Sequence, residues 1–124
     1  MGSEMCIRDR AQGVDGVVTV TAAEMFAIRR EVAAAQLAHR LPTVMGSIGY
    51  PELGGLAKLG PEVPDLWRRM TPTVDKLLRG TAKPAELPLI TVDGFQLDLN
   101  LQTARTLGLQ VPEGLLRRAV RVVQ

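Results

Sequence analysis

Hydroxyl and aromatic side chains follow two short β-branched segments, and these residues are the best candidates for binding a ligand. Thr21 follows the segment 16–20, and Ser47 and Tyr50 follow the segment 42–45. If both segments are parallel strands, their carboxyl ends lie at one edge of a sheet, where ligands collect against loops and helix N-termini. Hydroxyl groups donate and accept hydrogen bonds there, and a tyrosine ring adds an apolar wall with a polar tip.

Gly55 completes a predicted ligand-binding set of Thr21, Ser47, Tyr50 and Gly55, because a glycine lets the backbone approach a ligand closely. Each member also has an ordinary structural explanation. Residues 21–24, Thr-Ala-Ala-Glu, match a capping box, and helix capping is the favoured interpretation of Thr21. An exposed loop accounts equally well for Ser47 and Tyr50, and a simple turn accounts for Gly55.

The sequence contains no motif typical of catalysis, such as a P-loop, a Gly-x-Ser-x-Gly elbow or a paired-histidine helix. With one cysteine, Cys6, and one histidine, His39, a metal site is not expected. His39 falls at a predicted helix C-terminus, where it interacts favourably with the helix dipole. Asp93 and Asp98 flank a predicted strand at an odd spacing, which favours two solvated charges over a carboxylate pair. We therefore expect no catalytic residues, no metal and no cofactor.

The composition is that of a single small globular domain of 124 residues, 46% hydrophobic and 23% charged. Fifteen basic and 13 acidic side chains are spread along the chain and give a net charge of +2. Because no cationic stripe is present and aromatic residues are only 3%, nucleic-acid binding is not expected. Residues 1–10 lack apolar periodicity and look like translated sequencing-adaptor sequence. We expect them to be a non-native artefact preceding residues 11–124.

Residues 16–45 predict a parallel βαβ unit, so the predicted fold class is α/β. The segment 16–20 has apolar side chains on both faces, as a buried strand requires, and 42–45 is the second strand. Between them, a helix over 22–39 carries apolar residues at three- and four-residue steps. Strand, helix and strand in this order close right-handed onto a parallel sheet.

The remaining elements are predicted from capping and periodicity. A short strand near 56–59 precedes a helix that begins at Pro64 or Asp65, ends before Gly80 and is kinked or divided at Pro72. Its predicted buried face consists of Leu66, Met70, Val74, Leu77 and Leu78. Strands are predicted at 89–92 and 95–99. A helix is predicted at 101–107, with Asn100 as its N-cap and Gly108 as the residue that ends it. The last predicted helix runs from Pro112 through Ala119 towards Val122.

A set of short motifs, in one order along residues 11–124, resembles the C-terminal part of an ABC-transporter substrate-binding protein family whose relatives include tryptophan- and tyrosine-associated binding proteins. These motifs are Phe26-Ala27-x-Arg29, His39-Arg40-Leu41-Pro42, Gly54-Gly55-Leu56, Gly60-Pro61, Pro64-Asp65-Leu66-x-Arg68-Arg69, Val74-Asp75-Lys76-x-Leu78-x-Gly80, residues 83–88, and Phe95-x-Leu97-x-x-Asn100-Leu101-x-Thr103-Ala104-x-x-Leu107-Gly108-Leu109.

The resemblance implies part of a type I periplasmic-binding fold, in which two α/β lobes close on a small solute. It further implies solute capture for an ABC importer, a membrane permease as partner, and a periplasmic or extracellular location, with lipid anchoring of the full-length protein as one option. The alternatives are a ligand-sensing domain of a transcription regulator on the same fold, and an enzyme on a similar sheet. The sequence leaves the identity of the solute open.

Overall fold

The computed structural model describes Arg8 and residues 11–91 and 94–124. Contacts divide the chain into two units. One, here called the sheet unit, contains the described residues up to Gly60 together with Gln96–Gln124, and the other, the helix unit, comprises Pro61–Phe95. Residues 1–7, 9 and 10 lie outside the described residues, so the interpretation of 1–10 as an artefact stays a prediction.

A five-stranded sheet in the order β1-β2-β3-β4-β5 organises the fold. Its strands are β1 (Val17–Thr19), β2 (Thr43–Met45), β3 (Ala57–Pro61), β4 (Phe95–Asn100) and β5 (Ala119–Val123). The pairs β1–β2, β2–β3 and β4–β5 are parallel, with Val18 opposite Val44 in the first pair. The α/β class with parallel βαβ units, predicted from sequence, is confirmed.

Within the described residues the strands are accompanied by the helices α1 (Ala23–Ala27), α2 (Arg29–Ala38), α3 (Val63–Leu78), α4 (Leu101–Thr106) and α5 (Glu113–Arg118). Short 3-10 turns at Pro51–Leu53 and Pro84–Glu86 lie in the connections. The predicted cap at Asn100 is confirmed, since its side chain accepts a hydrogen bond from the Thr103 amide at 2.9 Å. Gly108 follows α4 with a φ of 74°, a left-handed conformation that glycine adopts without strain. In the described part of the chain, no helix is both long and apolar enough to cross a membrane.

The single helix predicted over 22–39 is divided at Ile28, so that expectation is wrong in detail. Ile28 has φ −98° and ψ 13°, outside the helical range. Beside it, the Arg29 guanidinium donates to the Phe26 carbonyl at 2.6 Å and lies 3.9 Å from the centre of the Phe26 ring. A side chain that binds this carbonyl competes with continuation of the helical ladder.

The capping box predicted at Thr21 and Glu24 is also wrong. Helix α1 has Ala22 as its N-cap, without a side-chain hydrogen bond. The Thr21 hydroxyl is instead directed at Gly46, because a Cβ built on Gly46 would lie only 1.9 Å from it. Contact with the end of β2 therefore takes the place of capping.

Strand β1 is not buried on both faces. Val18 is 82% exposed and Val20 is 77% exposed, whereas Val17 and Thr19 on the other face are half-buried. Among the described strands, β1 also forms the edge of the sheet, next to β2. A strand of β-branched residues indicates extended structure, but does not reveal how many of its faces are covered.

The C-terminal segment ends in a strand that the sequence pattern did not predict. Helix α5 stops at Arg118, and β5 follows at once, paired with β4 with Leu99 opposite Val122. The predicted continuation of the helix through Ala119 and Val122 is therefore wrong. The segment 119–123, Ala-Val-Arg-Val-Val, is rich in β-branched residues, which favour a pleated surface where a partner strand is present.

Helix α3 is continuous through Pro72 and has no buried residue, so both the division and the buried face predicted for it are wrong. Leu66 and Met70 are half-buried, while Val74, Leu77 and Leu78 are exposed. Of the strand predicted at 89–92, Leu89–Thr91 have no strand structure, and Val92 lies outside the described residues, as does Asp93.

The core of the sheet unit is formed between α2 and the first strands. Its two clusters of buried apolar side chains are Val32, Ala33, Met45 and Tyr50, with Met25 and Ile28 packed against them, and Ala35 and Leu41, with Val14 and Val17 packed against them. Gln36 lies on the same helix and is fully buried. Its amide donates to the Gly54 carbonyl at 2.8 Å and accepts from the Thr43 amide at 3.1 Å, so one side chain joins α2, β2 and the loop after β2.

Replacing Gln36 with Leu should lower the free energy of unfolding by about 1–3 kcal/mol, because the buried Thr43 amide loses its acceptor and the Gly54 carbonyl loses a donor. The control Gln102→Leu, at an exposed position of α4, should change stability by less than about 0.5 kcal/mol. Urea unfolding followed by circular dichroism measures both values. Equal effects of the two substitutions would contradict the bridging role of Gln36.

A second bridge joins the turn Pro51–Leu53 to β5, where Arg121 forms an ion pair with Glu52. Partial burial acts to raise the pKa of the Glu52 carboxyl. The hydrogen bond from Arg121, a backbone hydrogen bond and the charges of Arg121 and Lys58 outweigh that effect, so the pKa lies below its ordinary value of 4.5.

Because the folded state holds this pKa below the unfolded value, the pair should stabilise the fold above pH 4.5, and that contribution should disappear as the pH falls through the lowered pKa. Glu52→Gln should therefore lower the urea midpoint at pH 7, and by less at pH 3. In an Arg121→Ala background, the same substitution should have a smaller effect with little pH dependence. An equal loss at both pH values would count against the pair.

Candidate functional site

Three successive strand ends meet at the carboxyl edge of the parallel strands. The Thr21 hydroxyl, after β1, lies against Gly46, which follows β2. A Cβ built on Gly60, in β3, would lie 2.8 Å from the Gly46 carbonyl oxygen. We call Thr21, Gly46, Ser47 and Gly60 the strand-end cluster. A side chain at Gly60 would meet backbone, so the close approach of these strand ends requires a glycine there.

Ser47 lies in this cluster and is only 3% exposed. Within the described residues its hydroxyl oxygen has no hydrogen-bond partner, and the same holds for the buried hydroxyl oxygen of Thr19, the last residue of β1. A buried polar atom without a partner costs about 1–3 kcal/mol and calls for an explanation, such as a bound ligand or water molecule.

Sequence reasoning missed Thr19, although one indication was present. Thr19 lies two residues before Thr21 and shares the face of β1 that carries the half-buried Val17. A hydroxyl at the last position of a strand, on the covered face, points to the same edge as the residues that follow the strand. The position of Thr19 thus fits the rule that selected Thr21 and Ser47.

Tyr50 and Gly55 form a separate contact inside the loop between β2 and β3. Tyr50 is fully buried, and a Cβ built on Gly55 would lie 2.3 Å from two of its ring carbons. The Gly55 amide donates to the Tyr50 carbonyl at 2.9 Å. The structure thus places Thr21 and Ser47 in one cluster and Tyr50 against Gly55 in another, and the ligand-binding role of all four stays a prediction.

Polar side chains from distant parts of the sequence hold this loop. The Gly54 carbonyl accepts from the Thr103 hydroxyl at 2.9 Å, in addition to the bond from Gln36. The Pro51 carbonyl accepts from the Asn100 side-chain amide at 2.7 Å. Because Asn100 and Thr103 are buried, water competes little for these bonds. The loop that carries Ser47 is therefore fixed from α2 on one side and from the start of α4 on the other.

Asp98 is not a solvated charge, contrary to the sequence-based expectation. It is buried, and its carboxylate lies 3.4 Å from the Lys58 ammonium, whose side chain is 6% exposed. The pair connects β3 with the neighbouring strand β4, so strand pairing brings the two charges together. Asp93 lies outside the described residues. Elsewhere in the described part of the chain, no group of three or more His, Cys, Asp or Glu side chains is arranged to hold a metal ion.

Solved structures share this fold. A conserved domain protein from Vibrio cholerae O1 biovar El Tor matches with a TM-score of 0.86 and 21% identity, covering 98% of this chain and 40% of that one. An ABC domain from Streptococcus pneumoniae in complex with L-Trp matches with a TM-score of 0.80 and 23% identity, and the match also covers 98% of this chain and 40% of that one. The open, ligand-free structure of a substrate-binding protein with adhesive properties from Clostridium difficile matches with a TM-score of 0.66 and 18% identity. That match covers 100% of this chain and 42% of the other.

The chain thus spans about 40% of the length of the solved structures that it resembles. A comparison with curated protein sequences finds no match. The family model described as "ABC transporter substrate binding protein" matches residues 4–123. This is a family of substrate-binding proteins and not of enzymes, in agreement with the expectation that the chain has no catalytic function. With nearly its whole length covered by that match, the chain belongs to the ABC transporter substrate-binding protein family.

Proposed function

We propose that the chain captures a small solute as part of the substrate-binding component of an ABC importer. The observation that carries the proposal is the buried Ser47 hydroxyl, which lies at the carboxyl edge of the parallel strands and has no partner within the described residues. Thr19 and Thr21 supply two further hydroxyls at that edge. Family membership favours this function over the transcription regulator and the enzyme considered from sequence.

In this proposal the residues have two kinds of role. Thr21 and Ser47 bind the solute through their hydroxyls, and Gly46 leaves room for the Thr21 side chain beside them. Tyr50, packed on Gly55, fixes the loop that carries Ser47. Such a site needs no acid–base residue, because the solute is bound and released without change.

Residues 11–124 would form the C-terminal part of a two-lobed domain, which agrees with a chain that spans about 40% of the solved structures it resembles. A solute that contacts both lobes stabilises the closed form by its higher affinity for that form. The closed protein would then deliver the solute to a membrane permease, in the periplasm or at the cell surface. Amino acids are the first solutes to test, since the Streptococcus pneumoniae structure holds L-Trp.

Titrating the ¹⁵N-labelled chain with L-tryptophan, and in parallel with other amino acids, should shift amide signals at the strand-end cluster first. Signals of residues 20–22 and 46–48 are expected to move, while those of α5 are not. The affinity should be low, because one part of a two-lobed site supplies only some of the contacts. If no member of the panel shifts these signals, or if shifts concentrate elsewhere, the site is wrongly placed.

Ser47→Ala should weaken binding of the solute that gives those shifts by roughly 2- to 10-fold, the value of one hydrogen bond. The same substitution should leave the free energy of unfolding unchanged or higher, since it removes a buried hydroxyl without a protein partner. The control Thr106→Val, at an exposed position of α4, should leave the affinity unchanged. A loss of stability in Ser47→Ala with full affinity would assign Ser47 to the fold and not to the ligand.

A further inference from the structure

A buried ion pair lies in the sheet next to the strand-end cluster. Lys58 of β3 is 4% exposed and Asp98 of β4 is 7% exposed, and the ammonium nitrogen lies 3.4 Å from a carboxylate oxygen. In the pairing of β2 with β3, Lys58 stands opposite Met45, the last residue of β2. Gly46 follows Met45 directly, so the pair is adjacent to the point where the cluster begins.

Stability alone does not account for an ion pair in this position. Two charges taken out of water lose their hydration, and their mutual attraction repays that loss only when the geometry is excellent. The separation of 3.4 Å is longer than the roughly 2.7–2.9 Å of a close charge-assisted hydrogen bond. Apolar side chains of similar volume in place of such a pair often leave a fold equally stable or more stable. A role in positioning the strands explains the pair better.

The pair fixes β3 at the place where that strand approaches the end of β2. Near it, the Asn100 amide donates to the Leu56 carbonyl at 2.9 Å, so main-chain and side-chain bonds both join β4 to this part of the chain. Two residues after Lys58, a Cβ built on Gly60 would lie 2.8 Å from the Gly46 carbonyl oxygen. A displacement of β3 along β4 would therefore change the contact of Gly60 with Gly46.

A second ion pair, between Glu52 and Arg121, continues the charge pattern into the loop that carries Ser47. The pKa of the Arg121 guanidinium is raised by its hydrogen bond to Glu52, by the Glu52 charge and also by the charge of Asp98. Lys58 is one of the two cations whose charges act to lower the pKa of Glu52. The four charges thus alternate in sign, and they connect the loop with β3, β4 and β5.

From the buried pair, its register with the end of β2 and the close approach of Gly60 to Gly46, we infer that Lys58 and Asp98 are positioning residues of the solute site. They hold β3 where the strand ends meet, and they do not contact the solute themselves. This role rests on the proposed function of the strand-end cluster. The position of β3, however, is measured in the chain without solute, so the two ideas are tested separately.

The double variant Lys58→Met/Asp98→Leu tests the inference. Its urea midpoint should equal or exceed that of the unchanged chain, because an apolar pair replaces a desolvated ionic one. The Asn100 amide should nevertheless exchange its hydrogen at least 10-fold faster, since β4 is held less firmly against β3. In the same solute-free sample, the amide signals of residues 46–48 should move. Asp98→Leu alone should lower the urea midpoint, because it leaves Lys58 buried without its anion.

The matched control is Asp75→Leu/Arg79→Met, which removes an exposed ion pair from α3 in the helix unit. It should leave both the exchange of the Asn100 amide and the signals of residues 46–48 unchanged. A double variant at Lys58 and Asp98 that behaves like this control would overturn the inference. A double variant that fails to fold would do so as well, because the pair would then support the fold as a whole.

Titration with L-tryptophan connects the pair to binding. If the unchanged chain binds L-tryptophan, Lys58→Met/Asp98→Leu should weaken the affinity at least 10-fold. Full affinity in the double variant would overturn the positioning role, even if the signals of residues 46–48 had moved. Absence of binding to the unchanged chain would count against the proposed function with this solute, whereas the exchange rate and signals of the solute-free chain would still decide whether the pair positions β3.

Discussion

The Gly54 carbonyl is the point on which the arrangement of the sheet unit depends. It accepts one hydrogen bond from Gln36, 18 residues earlier, and one from Thr103, 49 residues later. Regular strand pairing cannot hold a loop of this length, so buried side chains satisfy its carbonyls instead. The loop carries Ser47 towards the strand ends, packs Tyr50 into the core and presents Glu52 to β5. A shift of Gly54 would therefore disturb the candidate site, the core and the C-terminal strand together.

Local features of this fold could be predicted from the sequence, and features that join distant residues could not. The Asn100 cap and the glycine after α4 depend on a few neighbouring residues, and both were predicted. The ion pair of Lys58 with Asp98 joins residues 40 positions apart, and nothing near Asp98 indicates its partner. Strand β5 is a similar case, because its β-branched residues form a strand only where β4 offers an edge.

The same distinction applies to the candidate site. The rule that ligands lie at the carboxyl ends of parallel strands selected Thr21 and Ser47, and the structure places both at one edge. The rule could not predict that Ser47 is buried. Its burial argues against the alternative interpretation of Ser47 as a residue of an exposed loop. It also could not show that the Tyr50 ring is packed on Gly55, since that contact depends on the path of the loop and not on residue type.

Among the described residues, several polar side chains are buried and several large apolar side chains are exposed. The buried Gln36, Asn100 and Thr103 each have hydrogen-bond partners, so their burial costs little and fixes one path of the loop. Trp67 and Leu78 of α3 are exposed in a chain that spans about 40% of the solved structures it resembles. The Ser47 hydroxyl differs from the paired polar groups, because it is buried and has no hydrogen-bond partner within the described residues. Within the described residues its hydrogen-bonding capacity is unused, and this is the reason for proposing that a polar solute binds at the strand ends.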